Sequence, residues 1–213
     1  MTSLQDLDAV VCTLVADGSS DRVLLPILEW LLEQHCTADI ELQFADHLPA
    51  GASTLQERIR LAADYYPCHL LFVHRDAESE DPALRQEQIE AAWAGSGVVA
   101  PLVTVIPVRM TEAWLLLDEL AIRGAAGNPN GTSALHLPQP GRLEQQRGPK
   151  LALFEALRVA SGLSPTRLRG FQPEARRHRV TELMRATNQG FGPLRRLSSF
   201  ARLESQVVQV FAN

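Results

Sequence analysis

Two short acidic segments carry the side chains of this chain that are best suited to chemistry. The first is DGSSD at 17–21, which follows an apolar run at 9–16, and the second is DAE at 76–78, which follows an apolar run at 69–75. In an open α/β sheet, the loops at the carboxyl ends of parallel strands form the ligand-binding crevice. Neighbouring strands lie about 4.8 Å apart, so carboxylates in two such loops can converge on one hard cation. The sequence therefore predicts a metal site suited to phosphate chemistry.

Each of these carboxylates also has a purely structural interpretation. Asp17 precedes a glycine, an arrangement common in turns, and Asp21 is placed to cap a helix. Asp76 and Glu78 are alternate residues, so in an extended segment their side chains point the same way. A solvated acidic loop is the other interpretation of this pair. Asp17 and the pair together favour a metal site in which all three carboxylates serve catalysis.

The composition predicts a globular protein of the cytoplasm without a membrane anchor. The chain has 213 residues, of which 46% are hydrophobic and 21% charged, enough for one substantial domain and a small appendage. The longest strongly apolar stretch, 23–32, is shorter than the roughly 20 residues that span a bilayer, and the start of the chain lacks a signal-peptide pattern. Cys12, Cys36 and Cys68 are odd in number and widely spaced, so neither a disulfide framework nor a zinc site is indicated.

Charge is divided unevenly along the chain. Residues 1–120 contain 20 acidic and 6 basic residues, whereas 121–213 contain 5 acidic and 14 basic residues. An acidic part is suited to cations, and a basic part is suited to a polyanion. Mutual attraction of the two parts, or solvated faces of opposite sign, explains the same division. The sequence leaves these interpretations open.

Apolar runs and helical spacings alternate in a βα rhythm over roughly the first 110 residues. The apolar runs predict strands at 10–16, 40–44, 69–75 and 102–106. Helical spacing between them predicts helices at 24–32, 54–65 and 82–94. This alternation is typical of an α/β fold with a mainly parallel sheet flanked by helices.

A change of character marks a second region. Residues 112–120 predict a short helix that ends the first domain, for which we expect the bounds 1–120. Residues 124–149 contain five glycines and four prolines, which predicts a long irregular insert. Helical patterns and an amphipathic C-terminal segment follow. We therefore expect 121–213 to form an insert and an Arg-rich helical extension packed on the first domain.

These motifs resemble those of the Toprim-like superfamily, a fold shared by the catalytic domains of topoisomerases, primases and OLD-type nucleases. In that family an acid-Gly turn follows the first strand and a D-x-D motif follows a later strand; here those positions are DG at 17–18 and DAE at 76–78. The chain is also similar to the bacterial DUF4276 family in three segments, VADGSSD, HRDAE and TEAWLLLD, which begin at residues 15, 74 and 111. The resemblance covers roughly residues 9–120.

The resemblance implies a Rossmann-like fold and a Mg²⁺ or Mn²⁺ ion bound by Asp17, Asp76 and Glu78, with Glu112 as a further ligand. Two residues depart from the usual Toprim pattern: Asp17 stands where glutamate is usual, and Glu78 replaces the second aspartate. The shorter side chain of Asp17 changes its reach for proton transfer. An active variant and a metal-binding domain without catalysis both fit these departures.

Arginines of the second half are the candidates for contacting nucleic acid. The chain has one lysine and nineteen arginines, and guanidinium groups suit phosphate oxygens. Solvated helix faces, or the base composition of the gene, explain the same bias. The predicted nucleic-acid contacts are Arg176, Arg177, Arg179, Arg195 and Arg196.

Together these features favour a magnesium-dependent phosphodiesterase that acts on DNA or RNA, an endonuclease of a bacterial phage-defence or DNA-processing system. A non-catalytic Toprim-like subunit that binds an ATPase is the alternative, and a small-molecule phosphohydrolase is a third hypothesis. The chain has no Walker A, G-x-G-x-x-G or G-x-S-x-G motif. The sequence leaves homo-oligomer formation open.

Overall fold

The computed structural model describes residues 4–49, 52–78 and 80–212. The chain divides into two compact units: Met1–Ile106 with Ala201–Asn213, and Pro107–Phe200. This division differs from the predicted boundary at residue 120. The prediction placed the boundary where the composition becomes rich in glycine and proline. In the structure, the boundary between the two sets of contacting residues falls directly after the last strand.

The first unit is built on a sheet of four parallel strands. These are β1 (Ala9–Val15), β2 (Asp39–Phe44), β3 (Leu70–His74) and β4 (Leu102–Val105). Their order across the sheet is β2-β1-β3-β4, and every neighbouring pair is parallel. The predicted α/β fold with a parallel sheet is therefore confirmed, and the predicted strands agree with the observed ones to within a residue or two.

Three helices connect the strands of this unit: α1 (Leu25–His35), α2 (Leu55–Tyr65) and α3 (Pro82–Ser96). Local sequence sets where two of them begin. The Thr54 side chain accepts a hydrogen bond from the backbone N–H of the third residue of α2, and the Asp81 side chain accepts one from the first turn of α3. The first unit also contains two short 3₁₀ helices, Leu4–Asp6 and Ser19–Leu24.

Both faces of the central sheet are buried. On β1, Cys12 and Leu14 point to one face while Thr13 and Val15 point to the other, and all four are fully buried. One core cluster joins the sheet to α2 and α3; its members are Val15, Ala45, Ile59, Ala62, Leu71, Val73, Ala77, Ile89 and Ile106.

The second unit is helical. Its helices are α4 (Glu112–Leu115), α5 (Glu119–Ala125), α6 (Pro149–Ser161), α7 (Pro165–Leu168) and α8 (Arg177–Arg185), with 3₁₀ helices at Pro140–Gln145, Glu174–Arg176 and Gly192–Arg196. The single helix expected at 112–120 is two helices, because Asp118 adopts an extended backbone and its side chain accepts the N–H of Ala121 at 2.9 Å. Asp118 thereby starts α5 as its N-cap.

The last helix, α9 (Ser198–Ala212), begins on a cap supplied by Glu144. The two carboxylate oxygens of Glu144 accept hydrogen bonds from the backbone N–H and the hydroxyl of both Ser198 and Ser199, at 2.6 to 3.0 Å. The indole N–H of Trp114 donates to the Ser199 hydroxyl at 3.0 Å, which extends the network into the core. A carboxylate at this position also interacts favourably with the helix dipole.

Residues of α9 from Ala201 onward belong to the first unit. There the side-chain carbonyl of Gln206 accepts hydrogen bonds from the backbone N–H and the hydroxyl of Thr104, at 2.9 and 3.1 Å. Thr104 lies on β4, an edge strand of the sheet. Gln206 therefore supplies this edge N–H with the acceptor that a further strand would otherwise provide.

In the ranges that the structure describes, no helix combines the length and the apolar character needed to cross a bilayer.

We predict that Glu144→Gln destabilises the protein by about 2 kcal/mol, because the new amide NH₂ faces N–H donors that have lost their acceptor. Partial burial acts to raise the pKa of Glu144, but the hydrogen bonds from Ser199 and Ser198 outweigh it and hold that pKa below its usual value. The stabilisation is therefore complete above the pKa of the unfolded glutamate and disappears as the pH falls through the lower, folded pKa. Urea unfolding of both proteins between pH 3 and pH 7 measures this difference.

Glu155→Gln is the matched control, because Glu155 is exposed on α6 of the same unit. We expect it to change the free energy of unfolding by less than about 0.5 kcal/mol. Equal stability of wild type and Glu144→Gln at pH 7 would contradict the role of Glu144 as a cap.

Candidate functional site

The loops that follow β1 and β3 meet at the carboxyl edge of the sheet. The Nε of Arg75, directly after β3, lies 3.3 Å from Oδ2 of Asp17, just beyond the end of β1. The chain passes from β1 to β2 on one side of β1 and returns to β3 on the other side. In open α/β sheets the crevice forms where the strand order reverses in this way. The two acidic segments singled out in the sequence therefore flank the position where the fold favours a ligand.

Asp17 is bound by two arginines. Besides Arg75, Nη1 of Arg58 on α2 lies 3.1 Å from Oδ1 of Asp17, and another nitrogen of Arg58 donates to the backbone carbonyl of Ala16. The Asp17 carboxylate is nonetheless 53% exposed. A cation that binds Asp17 therefore competes with two guanidinium groups that already compensate its charge.

Asp21 has the structural role that its position suggested, in a modified form. Its Oδ2 accepts the backbone N–H of Gly18 at 3.0 Å, and its Oδ1 accepts the hydroxyl of Ser20 at 3.3 Å. Gly18 is the N-cap of the 3₁₀ helix Ser19–Leu24, so Asp21 closes this turn from inside the helix instead of being the cap itself.

A cavity of about 360 Å³ opens beside Asp17, lined by the loops after β1 and β2 and by Arg58. Asp46, which follows β2, lines it and pairs with Arg22. Partial burial acts to raise the pKa of Asp46, but the hydrogen bond and charge of Arg22 hold it below its usual value. Sequence reasoning missed Asp46, although the signal that identified Asp17, an acid just beyond a strand, applies to it equally.

Asp76 lies next to a buried histidine. Oδ1 of Asp76 is 3.7 Å from Nε2 of His74, whose side chain is only 2% exposed. Nδ1 of His74 is 2.8 Å from the backbone carbonyl of Val105. Because a carbonyl oxygen only accepts, Nδ1 carries the proton and the ring orientation is fixed with Nε2 towards Asp76. At 3.7 Å the two atoms are beyond hydrogen-bond distance, so His74 lies beside the Asp76 side chain without bonding to it.

Glu78 does not share a strand face with Asp76, contrary to the argument from alternation. Its φ is +55°, in the left-handed region, and the N–H of Glu80 donates to the carbonyl of Ala77 at 2.9 Å. The backbone therefore turns after Ala77, and alternation holds only for extended backbone. Glu80, in the same acidic run, pairs with Arg85 at 3.0 Å.

The residues that the structure describes contain no group of three or more His, Cys, Asp or Glu side chains arranged to hold a metal ion. Magnesium sites, however, commonly use one or two carboxylates and leave the remaining positions to water and substrate phosphates. Asp17, Asp76 and Glu78 do not form such a group of three, so an ion at this edge would be held by one or two of them. Mg²⁺ or Mn²⁺ binding by these three residues stays a prediction.

Glu112 and Arg177 pair with each other inside the second unit. The Glu112 carboxylate is 4% exposed and the Arg177 side chain 11%, and Nη1 of Arg177 lies 2.6 Å from Oε1 of Glu112. The sequence singled out Glu112 as a metal ligand and Arg177 as a nucleic-acid contact. The structure gives both a buried ion pair instead, since α4 and α8 of this unit are in contact.

The other four predicted arginine contacts are exposed. Arg176 and Arg179 line a cleft in the second unit, whereas Arg195 and Arg196 lie in the 3₁₀ helix Gly192–Arg196. The guanidinium of Arg179 donates to Glu182 at 2.8 Å. Exposure makes these four side chains accessible to a polyanion, which Arg177 is not.

We predict that Glu112→Gln destabilises the protein by about 3–5 kcal/mol, because it leaves the buried charge of Arg177 without a counter-charge. Replacing both residues, as Glu112→Gln with Arg177→Met, costs less than the sum of the two single changes. A double-mutant cycle from urea unfolding measures the coupling. Arg196→Gln, an exposed arginine of the same unit, is the control; additive single changes at Glu112 and Arg177 would contradict the pair.

Comparison with known proteins leaves the arrangement without a match: no protein-family model, curated protein or solved structure matches this chain.

Proposed function

We propose that the protein is a Mg²⁺- or Mn²⁺-dependent phosphodiesterase that acts on nucleic acid, with its active site at the carboxyl edge of the sheet. The contact between Arg75 and Asp17 carries this proposal, because it shows that the loops after β1 and β3 meet. Carboxylates, which suit magnesium, and guanidinium groups, which suit phosphate, are combined there. Phosphoryl transfer depends mainly on such positioning and charge compensation.

One or two of the carboxylates of Asp76, Glu78 and Asp17 would hold the ion, which when bound would supply activation of water and compensation of charge on the phosphate. Glu112 is left out of the ligand set, because its carboxylate is buried against Arg177.

Arg58 and Arg75 would bind the substrate phosphate. Before substrate arrives, their charges are compensated by Asp17. An incoming phosphate competes with Asp17 for the same guanidinium groups, and bidentate guanidinium–phosphate hydrogen bonds favour the phosphate. Asp17 thereby becomes available to a cation at the moment when phosphate binds.

A role in bacterial phage defence or DNA processing follows only from the resemblance to the Toprim-like and DUF4276 families, and it belongs to this proposal. A non-catalytic subunit that binds an ATPase is a second candidate. One observation favours it: the Asp17 carboxylate is already paired with two arginines. The two candidates differ in whether the isolated protein cleaves nucleic acid.

We predict that Asp76→Asn lowers metal-dependent cleavage of nucleic acid about 100-fold or more, because the variant keeps the shape of the side chain but loses the charge that holds the ion. The measurement is cleavage of labelled DNA and RNA in Mg²⁺, Mn²⁺ or EDTA, together with calorimetric titration of each metal. Glu87→Gln, an exposed acid on α3, is the control and retains activity.

Full cleavage by Asp76→Asn would contradict the assignment of the site. Metal binding by wild type without cleavage of DNA or RNA, but with hydrolysis of a small phosphoester, would indicate the small-molecule phosphohydrolase. Neither metal binding nor cleavage would leave the partner subunit as the better candidate.

Asp17→Asn tests the exchange of partners at Arg58 and Arg75. We predict that this variant binds a labelled oligonucleotide severalfold more tightly than wild type in EDTA, since two guanidinium groups lose their competing carboxylate. Cleavage by the same variant falls, because a ligand of the ion is lost. Fluorescence anisotropy gives the affinity and a gel assay gives the cleavage rate; unchanged affinity would show that Arg58 and Arg75 do not contact phosphate.

A further inference from the structure

The second unit contains an arginine-lined cleft of about 670 Å³. This cleft lies between α5, the segment after α7 and the start of α8. The residues that line it include Arg167, Arg176, Arg179, Phe171 and Gln172, and none of the lining residues is acidic. Its size falls in the range of sites that bind small molecules.

Two of the three arginines keep an uncompensated charge. In the described ranges, neither Arg167 nor Arg176 has a carboxylate within ion-pair distance, whereas Arg179 pairs with Glu182. The acids nearest in sequence contact other side chains. Glu174 lies 3.4 Å from Lys150, and Glu182 also lies 3.6 Å from His178. The cleft therefore has a positive potential that an anion would neutralise.

Arg176 contacts an aromatic ring at the wall of the cleft. Its guanidinium carbon lies 5.6 Å from the centroid of the Phe171 ring, a cation–π contact. Both residues line the same cleft. A guanidinium group that is already placed loses less side-chain entropy when a ligand binds, so its hydrogen bonds contribute more to affinity.

We propose that this cleft binds the phosphate group of a nucleotide, with Arg167 and Arg176 as its main contacts. Guanidinium groups match phosphate in charge and geometry, and the side-chain amide of Gln172 adds a neutral donor and acceptor at the same wall. The nucleotide is part of a polynucleotide strand or a free molecule. The polynucleotide version rests on the proposed function, whereas the phosphate chemistry of the cleft does not.

The test measures binding without cleavage. Fluorescence anisotropy in EDTA follows two probes, a labelled single-stranded oligonucleotide and a labelled nucleoside diphosphate, with wild type, Arg167→Gln, Arg176→Gln and the double variant. Arg142→Gln is the matched control, because Arg142 is exposed in the same unit and does not line the cleft. Circular dichroism checks that every variant is folded.

We expect the double variant to bind about tenfold or more weakly than wild type, and Arg142→Gln to bind within about twofold. For the oligonucleotide, the slope of log affinity against log salt concentration falls by about 0.7 for each phosphate contact that is lost. Loss confined to the oligonucleotide identifies a polynucleotide strand, and loss with both probes identifies a nucleotide-sized site.

Two results would overturn the proposal: wild type binds neither probe, or the double variant binds both probes as the control does. The proposed active site is judged separately, by metal-dependent cleavage with wild type and Asp76→Asn. If the protein binds the probes through the cleft but does not cleave nucleic acid, the proposal for the cleft stands and the proposed function is wrong.

Discussion

Parallel pairing of β1 with β3 is the constraint on which the candidate site depends. Because both strands run the same way and are buried on both faces, their carboxyl ends meet at one edge, and the loops that follow must turn outward there. The parallel pairing thereby places the polar side chains of both loops at this edge, among them Asp17, Arg75 and Asp76. The acidic side chains at this edge are only partly exposed to water, so their negative charge requires nearby positive groups.

Arginine supplies this compensation in both units. Asp17 pairs with Arg58 and Arg75 in the first unit, and Glu112 pairs with Arg177 in the second. The acidic excess of the first half of the chain is thus partly neutralised by the few arginines that this half contains. Because guanidinium groups compensate the negative charge of Asp17, the edge of the sheet contains hydrogen-bond donors as well as acceptors. A set of both kinds is suited to binding a phosphate ester.

The sequence predicts the sheet well and the side-chain partners poorly, for physical reasons. Continuous apolar runs and helical spacing mark β1, β3 and their helices, because burial of whole elements sets those patterns. The pairing of Asp17 with Arg58 depends instead on how α2 is rotated against the sheet, and the turn at Glu78 depends on one positive φ. The burial of Arg177 beside exposed neighbours is likewise decided by helix packing, to which a run of arginines gives no clue.

The hydrogen bonds of Gln206 to Thr104 have a consequence for assembly. By occupying the backbone N–H of Thr104 on β4, they discourage another chain from extending the sheet at that side. Extension is then left to β2, the opposite edge, where Asp39 and Glu41 are exposed. If a second copy of the chain paired its own β2 with this edge, the acidic side chains of the two copies would lie close together and repel each other. Asp39 and Glu41 therefore oppose self-association through β2.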